Sequence, residues 1–132
     1  MKLSENFTLA ELTDTDTGIA NNPSQGEINN LKLLVQKVLQ PVRDKFGVIN
    51  VTSGFRSPLV NSAVGGSATS DHVHGRAADI QCEDMAAVFN YIRKKLPFKQ
   101  LIWEFGTDTQ PKWIHVAYDV NNNKSEVLKA IK

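Results

Sequence analysis

The sequence predicts an α+β domain in which helices cover one face of a small antiparallel sheet. Three observations carry this: an apolar run at helical spacing over 25–46, a second over 83–96, and two short stretches, 100–105 and 113–118, in which apolar and polar residues alternate. The polar stretch 13–25 reads as a surface loop. The first helix starts after Ser24, with Glu27 three residues on in a capping-box pattern. Ile28, Leu31, Leu34, Val35, Val38 and Leu39 then recur at intervals of three and four. Pro41 is expected to bend this helix, since it has no N–H to donate back along it, and Gly47 to end it. Its role is core scaffold.

Val48-Ile49-Asn50-Val51-Thr52 is short and β-branched, and reads as a strand running into the turn-rich Ser53-Gly54-Phe55-Arg56-Ser57-Pro58. A short helix is expected over 59–64, before Gly65-Gly66-Ser67, and a buried strand over 77–81. The second helix places Met85, Val88, Phe89, Ile92 and Leu96 on one face and is stopped by Pro97. The strands 100–105 and 113–118 flank a polar turn and form a hairpin.

At 132 residues the chain suits one domain, 1–132, with a core of its own. Fifteen Lys and Arg against fourteen Asp and Glu give a formal charge of +1, so there is no basic excess to neutralise a phosphate backbone, and nucleic acid is not an expected partner. Cys82 is the single cysteine, which excludes an internal disulfide and any multi-cysteine zinc module. Glu5 falls where a signal peptide needs apolar residues, and no run approaches the length of a membrane span. Neither secretion signal nor membrane insertion is expected.

The hairpin carries the first chemical signal. Leu101, Trp103 and Phe105 alternate with Ile102 and Glu104; Ile114, Val116 and Tyr118 alternate with Trp113, His115 and Ala117. With both apolar sets on the core side, Glu104 and His115 must share the other face, since a slip by one residue would expose a whole apolar set. A turn centred between Thr109 and Gln110 makes the two directly opposed, a carboxylate beside an imidazole.

The second signal is Ser70-Asp71-His72-Val73-His74-Gly75-Arg76-Ala77-Ala78-Asp79. Seven residues of extended chain span about 23 Å, too far for His72 and Asp79 to reach one ion. The chain must therefore turn between them, and Gly75 supplies the permissive backbone. Asp79 enters an apolar strand, where a carboxylate is costly unless paired or metal-bound. His72, Asp79 and His115 are thus candidate ligands, and two imidazoles plus a carboxylate with an open fourth position is the arrangement of catalytic zinc. His74 is either a fourth ligand or a polar surface residue. The turn before Asp79 favours the second.

Ser70-x-His72-x-x-Gly75-x-Ala77-x-Asp79 followed by Trp113-Ile114-His115-Val116 resembles the zinc D-alanyl-D-alanine carboxypeptidase family, which includes phage endolysins and shares its fold with the hedgehog signalling domain. Thr52 to Pro58, Asn61, Ala63 to Ser67, Gln100 to Glu104 and the opening Phe7 to Leu12 extend the likeness over most of the chain. The resemblance implies Zn2+ held by His72, Asp79 and His115, and hydrolysis of peptide bonds in the stem peptide of bacterial peptidoglycan, as carboxypeptidase or endopeptidase. It places Arg56 where the family has an arginine that contacts substrate, and Ser70 at a position that bonds substrate or the site backbone. Other branches carry a catalytic Glu three residues before the last histidine; Lys112 stands there, so Glu104 is the expected general base. Trp113 shares the Glu104 face and either walls the substrate cleft or covers the sheet edge. The short chain without an expected secretion signal suits a monomer made in the cytoplasm that reaches the cell wall on release through a holin or as a virion part, in phage or prophage lysis; a bacterial host enzyme of cell-wall remodelling is the alternative. The competing reading is a non-catalytic zinc-bearing binding domain, against which Glu104 argues.

Overall fold

The computed structural model describes residues 1–130. A two-stranded ribbon of β1 (Lys2–Ser4) and β2 (Phe7–Thr8) leads directly into α1 (Leu9–Thr13), whose Thr8 and Glu11 form a capping box. Neither the ribbon nor α1 was expected from the sequence; each is too short for a periodic signal. The long helical run then covers 25–46, starting with the Ser24–Glu27 capping box as α2 (Gln25–Leu34) and ending as α3 (Gln40–Phe46) before Gly47. In place of a simple bend, the expected irregularity is a π-helical turn over Val35–Leu39, where the N–H of Gln40 donates to the carbonyl of Val35 five residues back. The widened turn directly precedes Pro41, which cannot donate to the turn before it.

The remaining elements are β3 (Asn50–Ser53), α4 (Pro58–Ala63), a 3₁₀ turn at Asp71–His74, β4 (Ala77–Gln81), α5 (Met85–Lys95), β5 (Gln100–Glu104), β6 (Trp113–Ala117) and β7 (Glu126–Ala130). Five strands form one sheet in the order β3-β4-β6-β5-β7. Its first four strands pair antiparallel, as expected, but β7 adds to β5 in parallel and makes the sheet mixed.

Strand alternation decides what each face does. Ala78, Ile80, Leu101, Trp103, Ile114 and Val116 point to one face, where they pack with Leu31, Leu34, Val38, Val88, Phe89 and Ile92 of the helices in a hydrophobic core. Helices therefore cover one face, as the α+β reading requires. Asp79, Ile102, Glu104, Trp113 and His115 lie on the other face, which the segment between β3 and β4 overhangs.

The hairpin register differs from the expected one. Glu104 pairs with Trp113 and Ile102 with His115, so Glu104 is diagonal to His115 and not directly opposite. Phe105 and Gly106 both take positive φ, 57° and 75°, ending β5 at Glu104, and a tight turn from Thr107 to Gln110 closes the loop. The slip is of two residues, which preserves parity and keeps both side chains on one face.

Candidate metal centre

Asp79 and His115 are direct cross-strand partners on β4 and β6, on the face away from the core. His72 arrives from a different element, the 3₁₀ turn whose first N–H groups are capped by Ser70: the Ser70 Oγ accepts from the His72 N–H at 3.2 Å. Gly75 ends that turn in the left-handed conformation, φ 72°, and sends the chain back into β4. A Cβ at this glycine would also lie 2.5 Å from the carbonyl oxygen of Glu27, so both backbone and space require glycine. This is the turn that the His72–Asp79 spacing demanded.

The three side chains converge. One ligand atom from each lies within 4.8 Å of the other two. Asp79 Oδ1 is 3.3 Å from His72 Nε2 and 3.1 Å from His115 Nδ1. Bonds of about 2.0–2.1 Å in tetrahedral geometry put neighbouring ligand atoms about 3.3 Å apart; the two separations from Asp79 match this, and the donor types suit Zn2+. His72 Nδ1 donates to the carbonyl of Gly54 at 2.7 Å, which fixes the tautomer and leaves the Nε2 lone pair facing the other two ligands. His72 is 3% exposed and Asp79 8%, so the cluster sits at the floor of the site. Burial acts to raise the Asp79 pKa, but hydrogen bonds and positive charge from His115 and His72 outweigh it and hold the carboxyl well below the usual carboxylate range.

Around this floor lies a cleft of about 680 Å³. Arg56, Ser70, Glu104 and Trp113 all line it together with the three ligands, so the candidate site residues read from the sequence are brought to one place, with the exception of His74. Glu104 is half-buried; burial pushes its carboxyl up, His115 draws it down, and the Asp79 charge adds to the rise. Phe105, expected on the core side, lies in the cleft instead, because β5 ends at Glu104 and the positive φ of Phe105 breaks the alternation; Trp113 packs on it, ring centroids 5.1 Å apart, and the two form an aromatic wall. Trp103, on the opposite parity, is in the core and donates from Nε1 to the carbonyl of Thr107. His74 is exposed and stands apart from the ligand cluster, while its carbonyl accepts from Asn30. Lys112 is exposed.

Arg56 has a contact that spacing alone did not reveal. Its Nη2 lies 3.4 Å from Asp79 Oδ2, the oxygen not shared by the imidazoles, and its Nε donates to Ser53 Oγ at 3.0 Å. Ser53, Asn61 and the Gly54 carbonyl are site elements that the sequence reading did not assign. The motif around Thr52 to Ser67 contained them, but nothing in their spacing told which atoms meet. At the far end of the cleft, Lys99 donates to Asp71 Oδ1 at 2.8 Å and Gln100 to Glu126 Oε1 at 2.9 Å. The Glu126 pairing depends on β7, which no periodicity announced.

A curated protein from Streptomyces albus G described as a zinc D-Ala-D-Ala carboxypeptidase is 37% identical over 78 residues, a stretch that covers 57% of this chain and 31% of that protein. The chain thus spans about a third of the length of the curated relative it matches. A family model described as peptidase M15 matches residues 4–117, from β1 to the end of β6, and takes in His72, Asp79 and His115. The chain belongs to the peptidase M15 family.

Proposed function

We propose that the protein is a zinc-dependent peptidase that hydrolyses peptide bonds in the stem peptides of bacterial peptidoglycan. The observation that carries this reading is the convergence of His72, Asp79 and His115 on the floor of a cleft whose adjacent strand presents Glu104. Two imidazoles and one carboxylate leave a coordination position open, as catalysis requires. The curated relative, described as a zinc D-Ala-D-Ala carboxypeptidase, supports the metal and the substrate class.

Zn2+ held by these three residues supplies Lewis acidity and an activated water. Glu104, diagonal to His115 on the same sheet face, accepts the proton of the attacking water and returns it to the leaving amine. Its half-buried position raises its proton affinity, which suits both steps. Arg56 donates to the oxygen on which negative charge develops, or to a terminal carboxylate, using the N–H groups that its protein partners leave free. Ser70 and Trp113, both lining the cleft, contact the peptide, the first as a hydrogen-bonding hydroxyl and the second as an apolar wall. A non-catalytic zinc-bearing domain would need no acceptor in the position of Glu104.

The bond cleaved is either the terminal D-Ala-D-Ala bond or one inside the stem or cross-bridge. Incubation of the Zn2+-loaded protein with purified muropeptides, followed by mass spectrometry, tests activity and bond together. Loss of one alanine identifies a carboxypeptidase, and larger fragments identify an endopeptidase. Intact muropeptides after prolonged incubation refute the peptidase reading.

A further inference from the structure

Asn61 lies on α4 and is only 4% exposed, yet both polar groups of its side chain are engaged. Its Oδ1 accepts from Arg56 Nη1 at 3.3 Å, and its Nδ2 donates to the carbonyl of Ser67 at 2.8 Å. Its own carbonyl accepts from the Gly66 N–H at 2.8 Å. One buried residue thus fastens the loop 64–70, which walls the cleft, and the guanidinium that faces into it. A Cβ added at Gly66 would lie 2.0 Å from Asn61 Oδ1 and 3.0 Å from Arg56 Nη1. The requirement for glycine there is one of space: the loop backbone must close onto Asn61 and Arg56 with nothing between.

A guanidinium has five N–H groups. Three of those on Arg56 are directed to Ser53, Asn61 and Asp79, which leaves one on each terminal nitrogen. The side chain is 16% exposed. An arginine free in solution loses rotamer freedom when it engages a ligand, and one already held at three points has lost it in advance. The contact to Asp79 Oδ2 also orients the carboxylate so that Oδ1 faces the two imidazoles.

We propose that Asn61 is a positioning residue for both halves of the site. By holding Arg56 it sets the rotation of the Asp79 carboxylate toward the metal, and it presents the two remaining N–H groups of Arg56 to substrate beside the anchored loop. The statement about substrate rests on the peptidase reading above; the statement about Asp79 stands without it.

The test is Zn2+ affinity, measured by competition with a chromophoric chelator, for the wild type, Asn61→Ala, Arg56→Ala and the double variant. Loss of a residue that orients a ligand weakens metal binding about tenfold or more, and each single variant should show this. The double variant should bind no more weakly than Arg56→Ala alone, because Asn61 acts through Arg56. Additive losses, or wild-type affinity in either single variant, overturn the proposal. Asn61→Asp keeps an acceptor toward Arg56 and removes the donor to Ser67. It should retain Zn2+ affinity close to the wild-type value while raising KM more than it lowers kcat. A purely structural role for Asn61 instead predicts that Asn61→Asp is as weak toward Zn2+ as Asn61→Ala. Should Asn61→Ala fail to fold, Gly66→Ala crowds Oδ1 without removing a polar group, and unchanged Zn2+ affinity in that variant also overturns the proposal. Failure of the peptidase reading shows as absent cleavage with the affinity shifts intact. Failure of the present inference shows as unshifted affinity, whether or not the protein cleaves muropeptides.

Discussion

Removing the metal should lower the melting temperature by about 10 °C and leave the sheet standing. The ligands come from three elements, the 3₁₀ turn, β4 and β6, so an ion that binds them together recognises the native chain and not the unfolded one. At free Zn2+ a hundredfold above the dissociation constant, this linkage adds about 2.7 kcal/mol to the unfolding free energy. An unfolding entropy of about 2.1 cal/mol/K per residue amounts to ~0.28 kcal/mol/K for 132 residues, which converts that free energy into about 10 °C. The fold itself should persist, for two reasons. The β4–β6 ladder and the apolar core on the opposite face owe nothing to the ion, and His115 Nδ1 lies within hydrogen-bonding distance of Asp79 Oδ1 without it. The assay is thermal unfolding followed by far-UV circular dichroism, in Zn2+ buffered at a hundredfold the measured dissociation constant and in excess chelator, with metal content checked by elemental analysis. An unchanged midpoint after verified metal removal would refute the convergence of the three ligands. Loss of the far-UV signal on chelation at room temperature would refute the independence of core and site.

His72→Ala should abolish stoichiometric Zn2+ binding, whereas His74→Ala, at an exposed position away from the cluster, should leave it intact; elemental analysis of both variants separates the two histidines. Glu104→Gln keeps the size of the side chain but not the proton acceptor, so Zn2+ content and melting temperature should hold while turnover of muropeptide falls by about a hundredfold or more. Turnover within a few-fold of wild type would assign the base elsewhere, and loss of Zn2+ would make Glu104 part of the metal's support. Burial pushes the Cys82 thiol above its ordinary pKa, so less thiolate is present at neutral pH in the folded chain, and alkylation by iodoacetamide should accelerate on urea unfolding. Equal rates in the two states would contradict the half-buried placement of Cys82 at the margin of the core.

Periodic patterns were legible wherever one element meets a single environment. The spacing of Leu31, Leu34, Val35, Val38 and Leu39 marks a helix with one buried face, and the Ser24–Glu27 box marks its start; both hold in the structure. The strand 77–81 is found at its expected bounds. Alternation in β5 and β6 sorted Trp103 to the core and Glu104, Trp113 and His115 to the site, because a side chain can only point to one of two faces. The same alternation could not set the register, since a slip of two residues leaves every face unchanged. The left-handed Phe105 and Gly106, a property of the turn, decided it. β7 escaped for a related reason: an edge strand with Val127 and Leu128 exposed has no buried period to read.

For the site, the amino-acid sequence by itself determined the donor types, the need for a turn at Gly75 between His72 and Asp79, and the sharing of a face by Glu104 and His115. These are local consequences of chain geometry, strand parity and the cost of a carboxylate in an apolar strand. Tertiary structure alone decided the rest. It chose Nε2 of His72 as the atom that faces Asp79, by giving the other nitrogen to the Gly54 carbonyl, and it turned Nδ1 of His115 to the same Asp79 oxygen. It set Arg56 on the second oxygen of Asp79 and Asn61 behind Arg56. Each of these is a contact between atoms far apart along the chain, and hydrogen bonds weaken steeply outside a narrow range of distance and angle, so only the folded packing of β3, α4, the 3₁₀ turn, β4 and β6 brings the partners within reach.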